Sequence, residues 1–147
     1  MNIHHSRRGL QAAIALFGLV PVGAGLAGML MGPGFAGAHG ADIALDSHFR
    51  YLSGLLLGLG LLFWSAAPRI ERRGPLVRAL TLMVVLGGVG RALSLIDFGW
   101  PGGGMGFGLV MELGVTPLIC LWQWRVEAAC QAPSLGRYPL LGASRPT

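Results

Sequence analysis

The chain has 147 residues, a single-domain length, of which 53% are hydrophobic and only 12% charged. A soluble domain carries about 25% charged residues, so this composition, with a mean hydropathy of +0.62, excludes an ordinary water-covered globule. The net charge of +5 comes from eleven arginines and no lysine; these border apolar runs, so no nucleic-acid partner is expected.

A basic head, residues 1–9 with Arg7 and Arg8, precedes a first apolar run over about residues 10–31. Ala36-Gly37-Ala38 imitates a signal-peptide cleavage site. The apolar core, however, is about twice as long as the 7–15 residues of a signal h-region, so the segment is read as a retained helix. Further runs follow at about 48–67, 76–96 and 105–124. Each is long enough for a helix to cross a hydrocarbon core of ~30 Å. None alternates with period two, which excludes barrel strands. A helix satisfies its own backbone polar groups and so can span lipid.

The predicted fold is therefore all-α: a four-helix transmembrane bundle running up-down-up-down, with a membrane domain over residues 10–126. Residues 127–147, which include Pro133, Pro139 and Pro146, read as a disordered tail. Arg69, Arg72, Arg73 and Arg78 flank the second connection, and Arg125, Arg137 and Arg145 follow the fourth run; the other two connections hold Asp42, Asp46 and Asp97. By the positive-inside rule both termini are cytoplasmic. Trp64, Trp122 and Trp124 fall at the inner helix ends, as an aromatic belt would.

Gly28-x3-Gly32, Gly54-x3-Gly58 and Gly87, Gly88 and Gly90 have the small-residue spacing that lets helices approach closely. Packing within the chain is the favoured use, ahead of a dimer face. Pro21 and Pro117 should kink helices one and four. Cys120 and Cys130 are read as free thiols.

Charge is crowded where helix two begins, in DSHFRYLSG, Asp46 to Gly54. Asp46 or Ser47 suits an N-cap; Arg50 lies a turn further in. Arg91, near the end of helix three, and Glu112, near the start of helix four, lie at the same depth as Arg50 on the same side. Charges inside a span are expensive and seek partners, so Glu112 is expected to pair with Arg91, with Arg50 as a further candidate. Gly87, Arg91 and Ser94 share one face of helix three, and Gly108, Glu112 and Thr116 share one face of helix four. Two arginines against one glutamate would leave positive charge for an anion or a polar headgroup, unless an aspartate joins; otherwise the cluster is an ion-pair network that sets helix register. The candidate ligand-binding residues are Asp46, His48, Arg50, Arg91, Ser94 and Glu112.

No catalytic motif is present. The histidines lack zinc-binding spacing and no metal site is expected; no cofactor is assigned, and the methionines read as core fillers.

The segments DSHFRYLSG, Gly87-Gly-Val-Gly-Arg91-Ala-Leu-Ser94, and Glu112 followed by Thr116-Pro117-Leu118 and Trp122 resemble a family of small four-helix bacterial membrane proteins described only as a domain of unknown function. That family is distantly similar to the DoxX-like membrane proteins. The resemblance covers about residues 10–126 and implies a fold and a bacterial inner-membrane location, with no activity. The leading functional reading is a small binding or accessory protein whose outer-leaflet Arg/Glu cluster holds an amphiphile, an anion or a partner helix. The alternative is a DoxX-like membrane enzyme or redox accessory acting on a lipid or quinone. Candidate partners are the lipid bilayer, a lipid or small amphiphile, and a membrane protein or second copy of the chain.

Overall fold

A computed structural model describes residues 3–38, 40, 42–100 and 102–132. Four helical spans run antiparallel to their chain neighbours, and no strand occurs among the described residues. The first span consists of α1 (Ile3–Phe17) and α2 (Leu19–Met31), continued by a 3-10 turn over Gly32–Ala36. Then come α3 (Ile43–Ala66), a 3-10 connection over Ala67–Arg72, and α4 (Gly74–Phe98). The fourth span is α5 (Gly103–Val110), a π turn over Met111–Val115, and α6 (Thr116–Gln131).

Every span is longer than the apolar run that marks it. The head is helical from Ile3, so His4 and His5 sit on α1. The last helix continues to Gln131; the expected disorder at 133–147 lies outside the described residues. All four spans are long and apolar enough to cross a membrane, which makes this a multi-pass membrane protein. Large apolar side chains such as Ile43 and Phe98 are 90% and 88% exposed. Such a surface is stable only where lipid covers it.

The helix breaks have local causes. Pro21 has no N–H, so the carbonyl of Phe17 loses its partner and α1 gives way to α2 at Gly18. Trp64 packs against Gly18 and donates from Nε1 to the carbonyl of Ala15 at 3.1 Å. Pro117 is handled differently. The π turn places one extra residue before it, and Thr116 Oγ1 donates to the carbonyl of Met111 at 2.8 Å. That carbonyl also accepts the Thr116 N–H across the turn, so the hydroxyl reinforces the π turn that precedes the proline.

The bundle is tight at one end and open at the other. At the tight end Leu10, Ile14, Ala66, Ile70, Val77 and Val126 form the buried core. Polar bonds knit the same region: Arg7 pairs with Glu71 at 2.9 Å, Arg78 with Glu127 at 2.9 Å, and Trp122 Nε1 donates to Ser6 Oγ at 2.9 Å. Gln123, fully buried, donates from Nε2 to the carbonyl of Ile70 at 3.1 Å. Both described ends of the chain therefore lie at this basic end.

Towards the opposite end the spans separate into two hairpins. The α2–α3 hairpin is close-packed, because Gly25 and Gly28 admit the Ser53–Leu57 stretch of α3 and Gly60 admits Val22. The spacing Gly54-x3-Gly58 supports no close backbone approach: a methyl on Gly54 would meet only Met29 Sδ, at 3.6 Å, and one on Gly58 nothing within 4 Å. In the α4–α5 hairpin Gly88 supports the closest approach; Gly87, its neighbour, faces open space.

Candidate functional site

Between the hairpins lies a cavity of about 1090 Å³, at the upper end of the volumes usual for small-molecule sites. Its floor, towards the basic end, is apolar and includes Ile14, Phe63, Val84 and Ile119. Its upper part holds Ser94 and the glycine stretch before Met105. Among the described residues, Arg91 and Glu112 are the only ionisable groups that line it.

These two groups form an ion pair. Arg91 Nε donates to Glu112 Oε1 at 3.0 Å, and Oε2 is also 3.0 Å from Nε. The side chains keep 35% and 17% of their exposure. The pairing follows from position along two antiparallel helices: Arg91 is seven residues before the end of α4 and Glu112 nine past the start of α5, depths of about 10 and 13 Å at 1.5 Å per residue. Gly88 allows the contact, since a methyl group there would lie 2.7 Å from Leu113 Cδ2 and 3.0 Å from Glu112 Cβ. Glu112 itself lies in the π turn, a feature common at functional sites.

The guanidinium is not saturated. Besides Nε, it uses Nη1 towards Met105 Sδ at 3.0 Å. A thioether is a weak acceptor, and a guanidinium has five N–H donors. The other donors have no acceptor among the described residues. Met105, read from the sequence as a core filler, is therefore a contact of the site. Its sequence signal was its place at the mouth of helix four, behind three glycines.

Arg50 is not part of this site. Its Nε and Nη2 donate to Asp46 at 2.8 and 3.2 Å, while Nη1 donates to the carbonyls of Met29 and Leu30 at 2.6 and 3.1 Å. The last turn of a helix leaves carbonyls without intrahelical partners and carries partial negative charge. Arg50 satisfies both needs of α2, and Asp46 orients it. Gly32, at φ +64°, makes room, because a methyl there would lie 2.5 Å from Asp46 Oδ1 and 2.8 Å from Arg50 Nη2. Asp46 is thus not the N-cap of α3: Asp42 is, accepting from the Leu45 N–H at 2.7 Å. His48 is exposed, its ring tilted towards Tyr51 at 6.5 Å.

Of the six candidates, Arg91, Ser94 and Glu112 meet at the cavity. Asp46 and Arg50 form a separate pair, and His48 stands apart. Each arginine has its own carboxylate, so the anticipated positive surplus is absent. No group of three or more potential metal ligands occurs among the described residues.

No curated protein and no solved structure matches the chain. A family match spans residues 9–123, from before the buried Leu10 to Gln123, and includes the cavity and both ion pairs of its open end. The chain belongs to the DUF4345 family, a domain of unknown function.

Proposed function

We propose that this is a four-span protein of the bacterial inner membrane, with both termini cytoplasmic, that holds a lipid or other small amphiphile in the cavity between its hairpins. The orientation is supported by charge: Arg7, Arg8, Arg69, Arg72, Arg73, Arg78 and Arg125 gather at the tight end, and Asp42, Asp46 and Asp97 at the open one. The cavity then lies in the outer half of the membrane. The observation that carries the binding reading is a single ion pair, with unused donors, set in the wall of an apolar cavity. Bilayer lipid is as apolar as that wall, so enclosing an acyl chain gains little and the polar pair selects the ligand. The DoxX-like enzyme reading rests on sequence resemblance alone.

Native mass spectrometry of the gently solubilised protein tests the proposal, with wild type beside Arg91→Ala. A discrete adduct on wild type that the folded variant loses is the expected result. Bare spectra from both proteins would leave the pair as a register-setting contact and sink the binding reading.

A further inference from the structure

We infer that the ligand's head is uncharged and carries both an acceptor oxygen and a hydroxyl, as in a monoacylglycerol-like ester; this rests on the amphiphile reading above. The argument is one of charge balance. Among the described residues Arg91 and Glu112 are the only ionisable groups lining the cavity, and they neutralise each other at 3.0 Å. Arg50, the other arginine at this depth, is committed to Asp46 and to the end of α2. An anionic head would have to share Arg91 with Glu112 and set a second negative charge beside that carboxylate, in a space of low dielectric. A cationic head would face the guanidinium. A neutral head meets neither penalty.

Hydrogen-bond inventory then defines the head. Arg91 offers N–H donors without acceptors, and its bond to Met105 Sδ is readily displaced because a thioether accepts weakly. A carbonyl oxygen of the ligand takes that place. Glu112 Oε2 is buried and accepts no hydrogen bond, a costly state for a carboxylate oxygen, so a ligand hydroxyl that enters beside the pair gains a bond by donating to it. Ser94 lines the same upper part of the cavity. The floor at Val84 lies seven residues below Arg91, about 10 Å at the helical rise, and the cavity of about 1090 Å³ leaves room for a single acyl chain that bends at the floor.

The test uses three probes with one chain: 1-monododecanoylglycerol, dodecanoate at pH 8, and methyl dodecanoate. Each competes for the purified protein in nanodiscs, and bound ligand is read by native mass spectrometry. The expected order is monoglyceride, then methyl ester, then dodecanoate. Because like-charge juxtaposition costs several kcal/mol, the monoglyceride should exceed dodecanoate by roughly tenfold or more. Glu112→Gln should raise dodecanoate binding and shrink that ratio. Dodecanoate equal to or above the monoglyceride on wild type overturns the inference while leaving the amphiphile reading standing, and this comparison needs no variant. An unchanged ratio in folded Glu112→Gln overturns the inference as well. No adduct with any probe overturns both.

Discussion

Two adjacent glycines should respond in opposite directions to the same substitution. In Gly88→Ala the new methyl would lie 2.7 Å from Leu113 Cδ2, 2.9 Å from Leu113 Cγ and 3.0 Å from Glu112 Cβ. The Cγ and Cβ atoms sit close to the backbone, so α4 and the π turn must move apart, an overpacking penalty of about 1–3 kcal/mol. In Gly87→Ala the methyl meets nothing within 4 Å, and a helix interior gains up to about 1 kcal/mol when alanine replaces glycine. That gain is common to both variants, so they should differ by the overpacking penalty, roughly 1–3 kcal/mol, which for a chain of this size is a Tm separation of roughly 2–12 °C. The assay is thermal unfolding in one detergent, followed by circular dichroism. A Gly88→Ala protein as stable as Gly87→Ala would refute the packing described for the hairpin. It would also remove the stated reason why Glu112 reaches Arg91.

Gly32→Ala should lower Tm, since its φ of +64° and ψ of −156° are a combination essentially confined to glycine that costs a side-chain residue about 1–3 kcal/mol; an unchanged Tm would contradict the cap geometry. Arg50→Ala should also lower thermal stability but leave any ligand adduct on the folded fraction, whereas Arg91→Ala should lose the adduct; loss of adduct in both would rejoin Arg50 to the site. Gln123→Ala removes a fully buried side chain and its bond to the Ile70 carbonyl and should cost about 2–4 kcal/mol in the same unfolding assay. Cys130 is exposed at the basic end, so a membrane-impermeant maleimide should label it only after spheroplasts are permeabilised. Labelling of intact spheroplasts would reverse the proposed orientation.

Sequence alone sufficed for what depends on position along a helix. Four apolar runs mark four spans because lipid thickness sets a minimum helix length. Arg91 and Glu112 were paired by counting residues from helix ends, since rise per residue is constant. Helical backbone extends past the apolar runs at Ile43–Asp46, where Asp46 and His48 separate the apolar Ile43, Ala44 and Leu45 from the run, and at Gly103–Gly104, which carry no side chain to signal it. Everything that depends on rotation about a helix, and on which helix is the neighbour, awaited the tertiary structure. Arg50 shares the depth of Arg91 but points to the end of α2. Gly88, and not Gly87, meets the next span. The cavity itself follows from the bundle being pinned at its basic end by a core and hydrogen bonds while its hairpins diverge at the other, a property of how helices pack that no single segment contains.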